Sequence, residues 1–194
     1  GPTCLAIVTV DDGGENPIVV IAGANDAVDA AQVAASRAVL EDAAIVVCQG
    51  EIPRDGIEAL PELVGGRFLH NPAPVMELDP AVLRASDPLV VNEHEAALVL
   101  AQLSPGTEVP SQPAQIATAL REAGIASVVL TLGAQGSLVA DAEGQHRIPA
   151  APVTAVDTTG AGDAFIGALA VGLARGESLP LAARFASRVG AFAA

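Results

Sequence analysis

Four runs of this chain, "AIVVC", "GRFLHNPAP", "PLVV" and "SVVLTL", are short and largely apolar, and none has a polar face to turn toward water. Each is separated from the next by residues with helical spacing of the apolar positions. A strand that shows no polar face must be covered on both sides, and an alternation of such strands with amphipathic helices is what a parallel sheet between two helical layers requires. The class expected is therefore α/β. The helices are predicted over Asp26–Asp42, around Asp55–Val64, a short one from about Asp79, then about Glu93–Leu103 and Gln112–Ala123.

The two ends read differently. "TCLAIVTV", the cluster "DDGGEN" and "PIVVIAG" predict an N-terminal hairpin, because β-branched residues flank a Gly/Asp turn. "GSLVADAEGQHRIPA" predicts a second hairpin turning at Ala142–Gly144, and two Ala-rich helices follow, split by "RGESLP", with Gly176 past the end of the first and Pro180 opening the second. With 194 residues and no internal repeat or linker, one domain over residues 1–194 is expected.

Charge narrows the partners. A formal net charge of −14 repels phosphate backbones and anionic lipid surfaces, so neither nucleic acid nor a membrane is the expected partner. A nucleotide stays open, because oriented backbone amides, a helix N-terminus and a metal ion reverse the sign locally. Cys4 and Cys48 lie in apolar runs with no disulfide framework, which points to free thiols and a cytoplasmic location.

Four short stretches carry candidate chemistry. "TTGAGDAF", Thr158–Phe165, lacks the third glycine of a dinucleotide fingerprint and the lysine of a Walker loop. What remains is a glycine loop opening a helix, whose N–H groups at Gly160, Ala161, Gly162 and Asp163 can converge on an anion. The Asp163 carboxylate either caps that helix or takes the proton of an attacking hydroxyl. In "VVNEHEAALVL", Asn92 and Glu95 read first as a capping box, and alternatively as residues at the ligand-binding sheet edge with Glu95 holding hydrated Mg²⁺. "TLGAQG", Thr131–Gly136, is either a hairpin turn or a loop shaped for close approach of a ligand. Glu51, just past a buried strand, is either a solvated loop residue or an acceptor for sugar hydroxyls. His70, His94 and His146 have no metal-ligand spacing and read as structural or exposed.

In order and type, these motifs resemble the PfkB carbohydrate kinases of the ribokinase-like fold. "VDTTGAGDAFIGAL" is similar to the family's C-terminal signature, "NEHE" to its N-x-x-E motif and "TLGAQG" to its nucleotide loop, while "GENPIVVIAGAN", "CQGE" and "HNPAP" are similar to members that act on ribose. The resemblance implies a three-layer α/β/α architecture with a mainly parallel sheet and part of a β lid, to which the hairpin of residues 1–25 belongs. It implies ATP, Mg²⁺ and a monovalent cation such as K⁺, and transfer of the γ-phosphoryl group to the O5 hydroxyl of ribose. Asp163 would be the base and would touch the sugar with Glu51, and Gly160, Ala161 and Gly162 would form the anion hole. Asn92, Thr131, Leu132, Gly133, Ala134, Gln135, Gly136 and Gly162 would contact the nucleotide. Glu95 would order Mg²⁺ through water, and Asp157 with Thr159 would hold K⁺.

Two departures qualify these expectations. Ser187 stands where the family often has Asn or His beside the adenine. The chain also begins near the middle of the family's pattern, without its Gly-Gly-Lys-Gly-Ala-Asn-like sugar motif, and stops before its usual tail. The expectation is an incomplete sequence that, taken alone, binds sugar poorly and turns over slowly. A fructose, nucleoside or sugar-phosphate substrate and a non-catalytic nucleotide-binding module stand as alternatives; the oligomeric state is left open, and the hairpin resembles a lid strand through which members of the family pair as homodimers.

Overall fold

The structure is a computed structural model that describes residues 2–8, 18–154 and 157–194. Its centre is a six-stranded sheet built from β3 (Ile45–Gln49), β4 (Arg67–Asn71), β5 (Leu89–Asn92), β6 (Val128–Thr131), β7 (Ser137–Asp141) and β8 (Gly144–Ile148), in that spatial order. The first four run parallel, and β7 and β8 add as antiparallel strands, so the sheet is mainly parallel. Strands β1 (Leu5–Val8) and β2 (Ile18–Ile21) form a separate antiparallel ribbon. The predicted turn "DDGGEN" between them lies outside the described residues.

The absence of a polar face on the central strands has a direct cause. Neighbouring residues point to opposite faces, and Phe68, Val91 and Leu130 enter one core while Leu69, Val90 and Val129 enter the other. Over the first core lie α1 (Ala30–Ala35), α2 (Arg37–Asp42), α3 (Arg54–Ala59), α4 (Pro80–Arg84), α5 (Glu93–Leu103) and α6 (Pro113–Glu122), through residues such as Val33, Leu40, Ile57, Leu83, Val99 and Leu120. Over the second lie α7 (Ala161–Ala174) and α8 (Leu179–Phe192), through Phe165, Ile166, Leu169, Ala182 and Ala186. The result is a three-layer α/β/α sandwich.

The predicted helix over Asp26–Asp42 is divided. Residues Gly23–Ala27 form a 3₁₀ turn, Asp29 caps α1 by accepting from the Gln32 N–H at 2.9 Å, and α1 breaks from α2 at Ser36. There the Ser36 hydroxyl donates back to the Gln32 carbonyl at 3.1 Å, the local competition by which serine bends helices. At the other end the punctuation behaves as expected: Gly176 follows the Arg175 C-cap with φ 81, and Pro180 sits in the first turn of α8 after Ser178.

His70, on β4, is fully buried. It stacks on Phe68 with centroids 5.1 Å apart, and its Nδ1 lies 3.3 Å from the Ser86 hydroxyl. Burial pushes its pKa down from 6.5 to about 4, because an imidazolium there would be stripped of water. The folded chain therefore refuses a proton that the unfolded chain accepts below pH 6.5. Stability falls as pH drops from about 6.5 to about 4 and levels off below, a loss on the order of 3 kcal/mol. Urea unfolding at stepped pH should show this slope, and His70→Phe should flatten it; an equal slope in the variant would assign it to other groups.

Candidate active site

The topology brings the ends of β5 and β6 to one sheet edge. Asn92 and Thr131 are register partners there, the place where α/β proteins bind ligands. Asn92 caps α5 by accepting from the Glu95 N–H at 2.9 Å, and Glu95 returns its Oε2 to the Asn92 N–H at 2.9 Å. The capping box is formed. It uses only one carboxylate oxygen, and among the described residues Oε1 of the half-buried Glu95 has no hydrogen-bond partner.

The stretch from Thr131 to Gly136 is the connection between β6 and the antiparallel β7, so its hairpin reading is also realised. A single 3₁₀ turn spans Gly133–Gln135, and the Leu132 N–H donates to the Gly136 carbonyl at 2.8 Å. Leu132 is buried, Ala134 is exposed, and the Gln135 side chain accepts from Arg147 on β8 at 3.0 Å. Thr131 reaches the Val91 carbonyl with its hydroxyl at 3.4 Å. The chain leaves β8 at the same edge, since Ser137 pairs with both Thr131 and Ile148.

Residues 157–160 lead into α7. Asp157 accepts the Thr159 N–H at 2.9 Å, and hydrogen bonds from Thr159 hold its carboxyl below the usual carboxylate range. Gly160 then takes the N-cap position in a left-handed conformation, φ 76, with no side-chain cap. Asp163 thus falls at the third residue of the helix rather than at its cap. Its carboxylate is exposed and, among the described residues, makes no hydrogen bond. The capping alternative for Asp163 fails, because a glycine holds the position that a cap needs.

One expectation about the anion loop is corrected. The Ala161 N–H donates to the Thr158 carbonyl at 3.1 Å, closing the turn, so it does not join the converging amides. Gly162 and Asp163 keep first-turn N–H groups, which an α-helix leaves without helical partners. The start of α7 is braced from behind: a Cβ added to Gly190 of α8 would stand 3.1 Å from the Ala161 carbonyl oxygen.

The remaining candidates are scattered or buried. Glu51 is exposed and lines a hollow of about 410 Å³ along β3, with Gln49 and Asn25; among the described residues no hydrogen bond or ion pair joins it to the other candidates. Among the described residues the buried hydroxyls of Ser187, on α8, and of Ser137 have no hydrogen-bond partner, and neither does the Nε2 of His146. Ser137 and His146 face the α7–α8 side of the sheet, since they share a face with Val139 and Ile148. Sequence reading missed Ser137, although "SLVAD" places a serine at an inward position one residue past the nucleotide-loop motif. Cys48 is buried, which pushes its thiol up to about 12 and removes it as a nucleophile. No three His, Cys, Asp or Glu side chains cluster to hold a metal among the described residues. A single carboxylate with a free oxygen, as at Glu95, fits Mg²⁺ that keeps its waters, and Asp157 offers only one carboxylate to a monovalent cation. No helix of the described residues is long and apolar enough to cross a membrane.

Comparison with known proteins agrees with this arrangement. Residues 1–194 match the pfkB family of carbohydrate kinases. The ribokinase of Schizosaccharomyces pombe is 35% identical over 193 residues, which is 97% of this chain and 61% of that protein, and that of Mus musculus is 38% identical over 186 residues, 92% and 56%. Among solved structures, Thermotoga maritima ribokinase superposes with a TM-score of 0.87 at 30% identity, over 98% of this chain and 62% of that one. Arabidopsis thaliana ribokinase complexed with ribose and ATP superposes at 0.80 and 28% identity, over 98% and 62%. The chain therefore spans about three fifths of the length of these relatives. With the family match over its whole length and the ribokinase-like sandwich beneath it, the chain belongs to the pfkB family of carbohydrate kinases.

Proposed function

We propose that this chain carries the nucleotide and catalytic half of an ATP-dependent sugar kinase that transfers the γ-phosphoryl group to O5 of ribose. The observation that carries the reading is Asp163, a carboxylate without a structural partner in the first turn of a helix opened by glycine. A carboxylate beside an anion site repels the anion unless it has work to do there, and orienting the proton of a hydroxyl nucleophile is such work. The ribokinase relatives, and the neighbour complexed with ribose and ATP, support this substrate pair.

In this reading Asp163 accepts the proton of the sugar hydroxyl as the hydroxyl attacks. The N–H groups of Gly160, Gly162 and Asp163, with the positive end of α7, stabilise charge on the phosphoryl oxygens. Asn92 contacts phosphate, and the turn from Thr131 to Gly136 lies along the nucleotide. Ser187, whose hydroxyl is buried without a partner among the described residues, would have to turn outward to meet the nucleotide's base. Glu51 binds the sugar. Glu95, through the oxygen its capping box leaves over, would hold a hydrated Mg²⁺, which when bound would neutralise phosphate charge. Asp157, with Thr159, would hold K⁺. The two cysteines are free, which supports a reducing, cytoplasmic setting. The β1–β2 ribbon, with Leu5 and Ile21 exposed, would serve as a lid strand and as a contact between two copies.

ADP release tests this on the natural polypeptide that carries these residues, with ribose, fructose, a nucleoside and a sugar phosphate, with and without K⁺. Ribose should be fastest and K⁺ stimulatory; ATP binding with no sugar-dependent ADP release would leave a nucleotide-binding module. Gly162→Ala separates function from fold. A Cβ there meets nothing within 4 Å, and alanine favours the helix, so stability should hold or rise by up to ~1 kcal/mol. Turnover should fall on the order of tenfold to a hundredfold, because the methyl stands where phosphoryl oxygens approach the amides. Unchanged turnover in a stabilised variant would remove the anion hole from this loop.

A further inference from the structure

The outer face of the α7–α8 pair carries a feature that the kinase reading does not use. The chain has no lysine and only nine arginines against 23 acidic residues. Three of the nine, Arg175, Arg184 and Arg188, line a single hollow of about 200 Å³. Among the described residues none of the three makes an ion pair, whereas Arg37, Arg54 and Arg67 each have a carboxylate partner. Glu177 is the one acidic residue in the lining, so three arginines share the hollow with a single carboxylate.

Helix electrostatics accounts for only part of this. Arg175 is the C-cap of α7, where a cation meets the negative end of the helix dipole. Arg184 and Arg188 lie within α8, away from its ends, at the i,i+4 spacing at which like charges destabilise a helix. In a chain with an acidic excess, carboxylates to relieve that repulsion are plentiful, yet Glu177 alone of them lines the hollow, and among the described residues it forms no ion pair with either arginine. Guanidinium forks match phosphate and carboxylate geometry, and three around a concavity surround an anion on several sides. The wall between them is apolar: Leu181 and Phe185 contribute to the same hollow and are 53% and 45% exposed.

We propose that this hollow binds a small organic phosphate ester, the phosphate between the arginines and its apolar body against Leu181 and Phe185. The site is separate from the Gly160–Asp163 loop and does not depend on the kinase assignment.

Phenyl phosphate is the probe, followed by ¹⁵N chemical-shift titration and equilibrium dialysis on the natural polypeptide. Saturable binding is expected, shifting amides of residues 172–188 and weakening with salt. The Arg184→Ala/Arg188→Ala double variant should bind at least tenfold more weakly with an unchanged melting temperature, and Arg184→Gln/Arg188→Gln provides a second test if the alanines disturb α8. Phe185→Ala should reduce phenyl phosphate to the affinity of inorganic phosphate. Asp163→Asn should leave this binding intact, so failure of the kinase reading and failure of this site are distinguishable. Binding undiminished in both arginine double variants, shifts confined to residues 157–165, or capture of a glutamate-rich peptide but not of phenyl phosphate would each overturn the proposal.

Discussion

Asp163→Asn should lower turnover by roughly 10²–10⁴-fold, the range a positioned general base contributes, while the fold barely changes. The side chain is exposed and engages no partner among the described residues, and asparagine keeps its shape. The only structural term lost is the carboxylate's interaction with the positive end of α7, at most about 1 kcal/mol. Nucleotide affinity should stay level or tighten, since a negative charge beside the phosphates is gone. Single-turnover kinetics, calorimetry with an ATP analogue and thermal melting separate these effects. A variant that turns over normally but melts several degrees lower would make Asp163 a structural residue and return the loop to a simple helix start.

That test is needed because the sequence offered two readings of the same letters. "TTGAGDAF" contains a carboxylate near a helix start, and a cap and a base differ only in which residue the helix begins from. Gly160, at φ 76, takes the cap position and leaves Asp163 three residues past it, at the third position of the helix. At Asn92 and Glu95 the ambiguity has a different outcome: the capping box exists, and the oxygen it leaves over permits the second role. Pattern matching cannot separate these alternatives, since one residue set satisfies both.

The strands were legible because their chemistry is doubly constrained. Adjacent residues such as Val90 and Val91 enter opposite cores, so nearly every position had to be apolar. The first helices were less legible, because Ala-rich spacing continues through Ser36 and conceals a break made by one hydroxyl. Tertiary neighbours were not legible at all. The i,i+4 pair Arg184 and Arg188 can be read from the sequence, but that Arg175 joins them is set by the packing of α7 on α8. Glu51 likewise reads in sequence as a solvated loop residue or a sugar acceptor, and what the structure adds is that it lines a hollow beside β3 with Gln49 and Asn25.

Gly136→Ala tests how far the nucleotide turn depends on its backbone. Gly136 has φ 90 and ψ −131, where side chains are rarely tolerated, and a Cβ there would stand 2.0 Å from the Ile148 carbonyl oxygen and 2.6 Å from the Ala150 nitrogen. Both obstacles are backbone atoms, so relief requires β8 to move away from the turn. That motion works against the Leu132 to Gly136 hydrogen bond at 2.8 Å and the Ser137–Ile148 pairing, which place the turn at the sheet edge. Backbone strain and displaced pairing together should cost about 4 kcal/mol, or roughly 10 °C in melting temperature for a chain of this size. Gly133→Ala is the control: its φ is also positive, at 54, but a Cβ meets nothing within 4 Å, so only the left-handed penalty of roughly 1–2 kcal/mol applies. If the turn holds the nucleotide, Gly136→Ala should also weaken ATP binding at temperatures where the variant is still folded. Equal melting temperatures for the two variants would mean that β8 yields easily, and a destabilised variant with full nucleotide affinity would take the turn out of the binding site.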